Sequence, residues 1–572
     1  MANRHSYQSL EDGVLYVEND NIKKTLGVFF RKLKSLGWIL AGIIFMISTI
    51  LLGFMTYKES GNIITDPDLI VASSGAVASE LIICSQFGVD VLKEGGNAVD
   101  AAIASMLCVG TINAFSAGIG GGGFMLVRLP NGTSEVIDFR ETAPGAATED
   151  MFVRDSKLAR IGGLSIGIPG EVAGMKLAHE KYGKLSWKRL FEPSINISRD
   201  GFPVPPELGI RLEMFRHVII SNPQLAAIYA PNGDVLKQGE ILYRTNYSIT
   251  LEKIADDYTD FYNGSIARSL VKTIKASGGL MTLEDLADYR PVLREPVVGY
   301  YHGRKVITTP EPASGAILIF MLNILEGYEL NKSSLTGINL HRLVETLKFG
   351  FARRTELGDA AFFENKTAHE LRILDIISKK YASIVRKNIT DDRTHETEYY
   401  NPVYAETNDH GTTHLSTVDK DDMAVAFTST VVDPNTGIIL NDQLDDFSIP
   451  GGPDIFGMFP SPYNFIAPGK KPLSSTVPTI IEKDGKFEMT LGGSGGTKIL
   501  TAVLEAFVES GFPFELLNDL VDIGHIIQIA NINNRMFSCM VQAVRKFENG
   551  TIHGNFGFIQ QSFIETFTLR AN

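Results

Sequence analysis

Residues 409–419 read DHGTTHLSTVD, and they separate two parts of the chain that differ in character. The preceding stretch, 388–411, is NITDDRTHETEYYNPVYAETNDHG. It is polar, charged and poor in aliphatic residues, which predicts an exposed linker. The following part predicts strands in THLSTVD, MAVAFTSTVV and GIILN, and a hairpin in PTIIEK and KFEMTLGG. Because residues 170–375 show mostly helical periodicity, we expect one α/β body built from a helix-rich and a sheet-rich segment.

The first part of the chain carries a helical pattern from Ala76 to Ile112. Gly95-Gly96 divides it into two helices, and Asn97 is a suitable N-cap for the second. Residues 131–140 predict a turn and a strand that ends at Arg140. The run from Gly118 to Gly123 (GIGGGG) matches G-x-G-x-x-G, but a dinucleotide site needs a strand before the glycines and a helix after them. Here the order is reversed, which favours tight backbone packing.

Thr412 stands where the polar linker meets the first strand. A threonine hydroxyl is a weak nucleophile unless a base is adjacent. Cleavage of the Gly411–Thr412 bond would supply such a base, a free α-amine with a pKa of about 7.7–8.0, on the same residue. Taken alone, the dipeptide fits a plain loop-to-strand entry better. His410 and His414 have i,i+4 spacing, but a zinc helix needs H-E-x-x-H, so we expect no metal here.

The segment Gly492–Gly496 (GGSGG) lies between a predicted strand and a predicted helix. This is the context of a nucleophile elbow, G-x-S-x-G, with Ser494 as the nucleophile. A serine hydrolase would also need an acid and a histidine, for which the candidates are Asp519, Asp522, His525 and His553. The same glycines could instead offer backbone N–H groups to an oxyanion. The residues alone do not decide between these two interpretations.

Three other segments offer polar groups to a ligand. Arg140, in DFRETAP, could hold a carboxylate in a bidentate contact. One of Asp445 and Asp446 could bind an amino group. Ser474 and Ser475, in KKPLSSTVPT, are hydroxyl donors beside a strand. Each of these residues taken singly fits an ordinary surface or turn position.

An uncharged run of apolar residues, 38–57 (WILAGIIFMISTILLGFMTY), is long enough to span a bilayer as a helix. The basic residues before it place the N-terminal flank in the cytosol. The long charged lead favours an uncleaved anchor over a signal peptide, so residues 1–37 are expected to be a cytoplasmic tail. Asn-x-Ser/Thr glycosylation acceptors all follow this run, at Asn131, Asn196, Asn246, Asn263, Asn331, Asn365, Asn388 and Asn549.

Charge and cysteine content narrow the function further. The formal net charge of −13 argues against a nucleic-acid partner, which calls for a basic patch. The three cysteines, Cys84, Cys108 and Cys539, permit one disulfide and one free thiol in an oxidising compartment. They fit three small buried apolar residues equally well.

Taken together, the motifs resemble those of the γ-glutamyltransferase family, also called glutathione hydrolase. The segments that carry the resemblance are CSQFGVDVLKEGGNAVDAAIASMLCVG, GIGGGGF, GGLSIGIPGEVAGMKLAHEKYGKLSW, MTLEDLADYRPVLREP, HRLVETLKFGFARRTELGD, DHGTTHLS, GIILNDQLDDFSIPG, PGKKPLSSTVPTI and LGGSGGTK. They follow one another in family order over roughly residues 70–550. The combination is specific, although no single motif is.

The resemblance implies an α+β fold of the N-terminal nucleophile (Ntn) hydrolase type, a four-layer αββα sandwich, preceded here by a transmembrane helix. It also implies self-cleavage into a large subunit, 58–411, and a small subunit, 412–572. Thr412 would attack the γ-amide of glutathione or of another γ-glutamyl compound. The γ-glutamyl ester would then pass to water or to an amino acid or dipeptide acceptor. No cofactor is implied, and the anchor matches the single-pass type II topology of animal members at the plasma membrane.

Residue roles follow from the matching motifs. The expected catalytic residues besides Thr412 are Thr430, beside the nucleophile, and the oxyanion glycines Gly495 and Gly496. The resemblance thereby decides against a nucleophilic Ser494. The expected substrate-binding residues are Arg140, Ser474 and Ser475 for the α-carboxylate, and Gln443 and Asp446 for the α-amino group. Cys84 and Cys108 match a disulfide of animal members.

The sequence departs from the family pattern in two places. After Thr430 the family normally continues into a substrate-binding loop and lid, but here the chain runs directly into residues 431–433. The C-terminal part is shortened, and residues 554–572 replace the usual ending. The hypotheses are an active γ-glutamyl enzyme and, because of these two departures, a catalytically impaired membrane glycoprotein (a pseudoenzyme or splice form). A serine hydrolase that uses Ser494 is the third hypothesis, which the resemblance disfavours.

Overall fold

The protein is described by a computed structural model for residues 70–330, 334, 336–405, 412–429, 433–454, 457–508, 516–525 and 539–559. Its strands are β1 (Ile70–Ala72), β2 (Ala76–Ala78), β3 (Phe124–Arg128), β4 (Ser134–Asp138), β5 (Phe202–Pro203), β6 (Ile241–Leu242), β7 (Val292–Arg294), β8 (Val297–Tyr301), β9 (Arg304–Thr308), β10 (Thr413–Val418), β11 (Ala424–Ser429), β12 (Thr479–Lys483), β13 (Lys486–Ser494), β14 (Cys539–Lys546) and β15 (Ile552–Ile559). Within the described residues they form a seven-stranded antiparallel sheet, β1-β15-β14-β13-β12-β9-β8, a six-stranded one, β2-β10-β11-β3-β4-β7, and a separate pair, β5-β6.

Helices cover the outer faces of both sheets. In the described part of the chain they are α1 (Ile82–Lys93), α2 (Ala98–Ile112), α3 (Glu171–Tyr182), α4 (Trp187–Asp200), α5 (Pro206–Met214), α6 (Arg216–Ser221), α7 (Pro223–Tyr229), α8 (Thr245–Asp256), α9 (Asp260–Asn263), α10 (Ser265–Ala276), α11 (Leu283–Asp288), α12 (Gly315–Leu325), α13 (Gly337–Arg354), α14 (Lys366–Ile376), α15 (Lys379–Arg386), α16 (Ile499–Phe507) and α17 (Leu517–Asp522).

Three apolar cores separate the layers of the molecule. Phe124 and Leu126 of β3 point into the core between the two sheets, together with Ile480 of β12. Met125 and Val127 of β3 join the core that contains α2. One strand supplies both cores because successive side chains point to opposite faces of a sheet. A third core joins the seven-stranded sheet to α12, α13 and α16, so the layer order is αββα, as predicted.

The break between α1 and α2 lies at Gly95-Gly96, as the sequence predicts. The Asn97 side chain caps α2 by accepting hydrogen bonds from the backbone N–H groups of Val99 and Asp100 at 3.1 and 3.0 Å. The Asp100 carboxylate in turn accepts from the Asn97 backbone, which completes a capping box. The helical prediction is wrong at the start of this region, because residues 76–78 form β2 and pair with β10.

The interpretation of residues 388–411 as an exposed linker is wrong for part of that stretch. Residues 397–400 form a 3-10 turn, and Tyr400 is buried. Its hydroxyl donates to both carboxylate oxygens of Glu345 on α13, at 3.0 and 2.8 Å. Polar residues can be buried here because a buried acid satisfies them. Residues 406–411 lie outside the described part of the chain.

The hairpin predicted in PTIIEK and KFEMTLGG is present as β12 and β13. Asp484 and Gly485 at its turn have positive φ angles of 52° and 76°, as tight hairpin turns require. The strand predicted in GIILN is wrong, because Leu440 makes an isolated bridge to Gly120 rather than a strand. The next residue, Asn441, holds this segment through its side chain instead, donating to the carbonyl of Gly120 at 2.8 Å.

The C-terminal part of the chain completes the seven-stranded sheet. β14 and β15 pair with each other over eight positions, and β15 also pairs with β1. β15 ends at Ile559, inside the segment 554–572 that departs from the family pattern. The changed ending therefore still supplies an inner strand of the sheet.

The predicted cytoplasmic tail and membrane anchor, residues 1–57, lie outside the described residues. Among the helices that are described, none is both long and apolar enough to cross a membrane. The topology predicted from residues 38–57 thus stays a prediction.

Candidate active site

Thr412 directly precedes β10, an inner strand of the six-stranded sheet. The next residue, Thr413, pairs with Ser429 at the end of β11. Thr430 follows Ser429 but lies outside the described residues, as does His410. The predicted nucleophile therefore lies at the start of β10, which pairs with β2 on one side and with β11 on the other.

His414, two residues after Thr412, is fully buried. Its Nδ1 lies 3.0 Å from Thr428 Oγ1 and its Nε2 lies 3.1 Å from Ser416 Oγ. Burial lowers the pKa of this imidazole to about 3, so it is neutral near pH 7. The neutral His414 ring at the start of β10 therefore lies between two hydroxyl groups, those of Thr428 and Ser416.

The GGSGG segment lies against the start of β10. A Cβ atom added to Gly492 would lie 2.3 Å from Cε1 of His414, so only glycine permits this contact. β13 ends at Ser494, and a 3-10 turn from Gly496 to Lys498 leads into α16. Gly495 and Gly496 have φ angles of 125° and 62°, which other residues rarely adopt. Both glycines are therefore required by the backbone itself.

Ser494 lies between a strand and a helix, as the nucleophile-elbow interpretation requires, but the candidate histidines of that interpretation have other partners. The Nε2 atom of His525 lies 2.7 Å from Nδ1 of His341, and the Nδ1 atom of His525 lies 3.5 Å from Nζ of Lys348. His553 packs its ring against Phe547 on the hairpin of β14 and β15. The imidazoles that this interpretation requires are engaged with other groups.

Arg140 is the centre of a buried polar cluster that joins distant parts of the chain. Its guanidinium forms an ion pair with Asp446, and Gln443 Nε2 donates to the same Asp446 oxygen at 2.7 Å. Nη1 lies 3.7 Å from the carboxylate of Glu141. The hydroxyl of Tyr289 donates to the Arg140 carbonyl at 3.0 Å, which fixes the backbone at this position.

Ser474 and Ser475 are buried and follow directly on the segment that faces Arg140. The Leu473 carbonyl lies 3.4 Å from Arg140 Nη2. The Ser474 hydroxyl donates to Thr476 Oγ1 at 3.1 Å. The structure thus brings Arg140, Gln443 and Asp446 into direct contact, and it places the two serines next to this cluster along the chain.

Asn441 is a positioning residue that the sequence analysis missed. Its side-chain nitrogen donates to the carbonyls of Gly120 and Gly167 at 2.8 and 2.9 Å. Its side-chain oxygen accepts from the backbone N–H of Gln443 at 3.1 Å. The turn that carries Gln443 and Asp446 is thereby tied to the GIGGGG segment. A polar residue directly after an apolar run was the signal available in the sequence.

Buried carboxylates close to the Arg140 cluster, those of Asp138, Glu141 and Glu171, are further residues that the sequence did not indicate. Burial raises the pKa of Asp138, but Lys471 and Arg294 outweigh this effect, so its pKa lies below the usual value. Burial raises the pKa of Glu141 and, more strongly, that of Glu171. The Asp138 carboxylate is therefore held as an anion behind Arg140, while burial disfavours the charged forms of the two glutamates.

A disulfide joins Cys84 on α1 to Cys108 on α2. Both residues are fully buried in the core that covers the six-stranded sheet. This is the pair that the family resemblance implies. It fixes the two helices that follow β2 to each other.

The αββα sandwich, with a threonine at the entry to an inner strand, defines the class as the Ntn-hydrolase fold. A cephalosporin acylase from Bacillus halodurans has a similar fold, with a TM-score of 0.74 and 23% identity over 86% of this chain and 95% of that one. The γ-glutamyltranspeptidase of Helicobacter pylori is 31% identical with a TM-score of 0.55, over 57% of this chain and 95% of that one.

The family follows from the sequence comparisons. The family model described as Gamma-glutamyltranspeptidase matches residues 84–550. Glutathione hydrolase proenzyme 1 of Schizosaccharomyces pombe is 42% identical, over 87% of this chain and 85% of its own length. The chain belongs to the γ-glutamyltranspeptidase family. The prediction of an enzyme of the γ-glutamyltransferase or glutathione hydrolase type is confirmed at this level.

Proposed function

We propose that this chain hydrolyses or transfers the γ-glutamyl group of glutathione and its conjugates, with Thr412 as nucleophile. The observation that carries the proposal is the buried contact between Arg140 and Asp446, which Gln443 completes. A guanidinium suits the α-carboxylate of a glutamyl group, and a carboxylate suits its α-ammonium. When a zwitterionic substrate binds, its α-carboxylate pairs with Arg140 and its α-ammonium pairs with Asp446. Each buried residue therefore keeps a partner of opposite charge.

The proposed reaction begins with cleavage of the Gly411–Thr412 bond. Thr412 Oγ attacks the Gly411 carbonyl carbon, the peptide C–N bond breaks, and the nitrogen takes up the hydroxyl proton. Water then hydrolyses the resulting ester, which leaves a carboxylate on Gly411 and a free α-amine on Thr412. In catalysis this amine takes the hydroxyl proton while Oγ attacks the γ-carbonyl carbon of the substrate. The C–N bond then breaks, the proton passes to the leaving amine, and a γ-glutamyl ester on Thr412 remains.

The ester is released by water or by the amino group of an amino acid or dipeptide acceptor. Gly495 and Gly496 are proposed to donate backbone N–H groups to the oxyanion in both steps. Support for this role comes from their position after β13, which packs on β10 through Gly492 and His414. Thr430 is proposed to donate a hydrogen bond to the Thr412 hydroxyl.

The two proposed subunits, 58–411 and 412–572, are interleaved in both sheets. In the six-stranded sheet, β10 lies between β2 and β11, and β11 in turn pairs with β3. In the seven-stranded sheet, β12 pairs with β9. Cleavage before Thr412 therefore leaves the two chains joined by strand pairing.

The decisive experiment is a denaturing gel with N-terminal sequencing, combined with release of a γ-glutamyl anilide. We expect two chains, the smaller of which begins at Thr412, and measurable turnover. Thr412→Ala is expected to stay uncut and inactive, whereas Thr417→Ala in the same strand is expected to be cut. Two fragments from Thr412→Ala would refute the nucleophile assignment. An uncut, inactive wild-type chain would favour the impaired form.

We also propose a location at the plasma membrane, with the catalytic part outside the cell and residues 38–57 as the anchor. The support is the length and flanking charge of that run. Protease treatment of intact cells is expected to digest residues 58–572. Protection of the catalytic part until the cells are permeabilised would contradict this topology.

A further inference from the structure

A buried cluster of His341, Glu345 and His525 lies apart from the Arg140 cluster. One ligand atom from each of the three side chains lies within 4.8 Å of the others. His341 and Glu345 stand four residues apart on α13, which places both on one face of the helix. His525 follows α17 and approaches from the other side, with its Nε2 2.7 Å from Nδ1 of His341.

The orientation of His341 is fixed by its outer nitrogen. Nε2 lies 2.7 Å from the carbonyl oxygen of Thr390. A carbonyl oxygen accepts only, so Nε2 carries the proton and Nδ1 presents its lone pair to the cluster. Metal-binding histidines in proteins are oriented in this way, by donation from the second nitrogen to a carbonyl or carboxylate.

Glu345 is oriented just as firmly. Tyr400 donates to both of its oxygens at 3.0 and 2.8 Å, and Thr394 donates to Oε1 at 2.7 Å. Oε1 also accepts from Lys348, so the lone pair that is available to a cation lies on Oε2, since each oxygen accepts about two hydrogen bonds. A carboxylate that is held in place loses little freedom on binding a cation.

Lys348 shows that the cluster already attracts a cation. Its Nζ lies 3.1 Å from Glu345 Oε1 and 3.5 Å from His525 Nδ1. The ammonium group balances the glutamate charge within the same pocket. An incoming metal ion therefore has to take over this role of Lys348.

We propose that His341, Glu345 and His525 bind a divalent zinc-type ion. Two imidazoles and one carboxylate suit Zn²⁺, whereas Ca²⁺ and Mg²⁺ prefer oxygen ligands. On binding, the proton of His525 passes through solvent from Nε2 to Nδ1, so that both rings stay neutral and each gives a nitrogen lone pair to the metal. The ammonium of Lys348 moves away from Glu345 and from Nδ1 of His525. A water or Tyr400 completes the fourth position.

The site would connect three parts of the chain. His341 and Glu345 belong to α13, Thr390 and Tyr400 to the segment before the proposed cleavage bond, and His525 to the part after Thr412. A metal ion here would act as a staple between the two proposed subunits. Its existence does not depend on the catalytic proposal, because none of its residues belongs to that site.

The test uses the full chain without a histidine tag. With Zn²⁺ at 100 times its dissociation constant, we expect the Tm to rise by about 2–3 °C. His341→Ala and Glu345→Gln are each expected to weaken Zn²⁺ at least about tenfold. His369→Ala is the matched control, because His369 forms a comparable buried contact with Glu311 at 2.7 Å elsewhere in the fold. It should bind Zn²⁺ like the wild type.

A second variant keeps the proposal testable if these substitutions impair folding. Lys348→Met removes the competing ammonium and leaves Glu345 without its counter-charge. We expect a lower Tm without metal, tighter Zn²⁺ binding than the wild type, and recovery of the Tm with Zn²⁺. Bound Co²⁺ should show a tetrahedral absorption spectrum. Equal binding by His341→Ala and wild type, or failure of Lys348→Met to bind Zn²⁺, would overturn the proposal.

Discussion

Replacement of Arg140 by lysine separates the charge of this residue from its geometry. The guanidinium contacts Asp446 through Nη2 and lies 3.7 Å from Glu141 through Nη1. Lysine keeps the charge, but its single nitrogen cannot hold a carboxylate in a bidentate contact. We therefore expect Arg140→Lys to fold and to bind the γ-glutamyl donor poorly.

The magnitude follows from the contact that is lost. A hydrogen bond to a charged group contributes about 1.5–3 kcal/mol, which corresponds to about a 10–150-fold change in kcat/KM. The α-carboxylate does not change during the reaction, so its contact is equal in the ground state and the transition state. The loss should then appear mainly in KM, with kcat little changed.

The assay is steady-state kinetics with a γ-glutamyl anilide donor on protein that a gel shows to be cleaved. Arg128→Lys is the matched control. Arg128 is equally buried, and its Nε forms an ion pair with Glu482 at 2.6 Å, but it lies at the opposite end of β3 from the site. Its replacement should lower the Tm by a similar amount and leave KM unchanged.

Two outcomes would refute the assignment of Arg140. Equal increases of KM in Arg140→Lys and Arg128→Lys would show that the effect is a general loss of stability. A fall in kcat with an unchanged KM would show that Arg140 does not hold the donor. Either result would move the substrate site away from the contact of Arg140 with Asp446.

Two further substitutions test how the nucleophile strand is held. Burial lowers the pKa of His414 from 6.5 to about 3, so the folded state takes up its proton only at lower pH and stability is lost as pH falls through that window. Between pH 6.5 and pH 4, the free energy of unfolding measured in urea should therefore fall by about 3 kcal/mol less in His414→Gln than in the wild type. An equal fall in both proteins would contradict this role of His414. Gly492→Ala puts a Cβ 2.3 Å from the His414 ring, so it should cost about 1–3 kcal/mol and slow cleavage. Gly452→Ala, with nothing within 4 Å, should do neither, and equal effects would count against the packing argument.

Local signals explain which elements the sequence predicted well. Gly95-Gly96 and the cap at Asn97 act within a few residues, and so does the turn at Asp484 and Gly485. β2 escaped prediction because its three residues form a strand only by pairing with β10, more than 300 positions later. Tyr400 was assigned to an exposed linker because its partner, Glu345, lies on a distant helix.

The candidate site depends even more than the fold on contacts between segments that are distant in the sequence. Arg140 and Asp446 are 306 positions apart, so no pattern within either segment indicates that they meet. The family resemblance supplied both residues, and the structure supplied their contact. Asn441 and Lys471 lie in segments that carry the resemblance, but their roles consist of bonds to backbone groups and carboxylates that only the fold brings near.

The strand order constrains when cleavage can occur. β11 pairs with β10 along its whole length, β2 pairs with its second half, and β13 contacts its start through His414. β2 comes from the chain before Thr412, and β11 and β13 come from the chain after it. A chain cut before folding would have to find these pairings between separate molecules, whereas an intact chain makes them within one. The proposed cleavage should therefore follow folding. Thr412→Ala is accordingly expected to keep the wild-type circular dichroism spectrum and a similar Tm, and an unfolded variant would show that cleavage completes the fold instead.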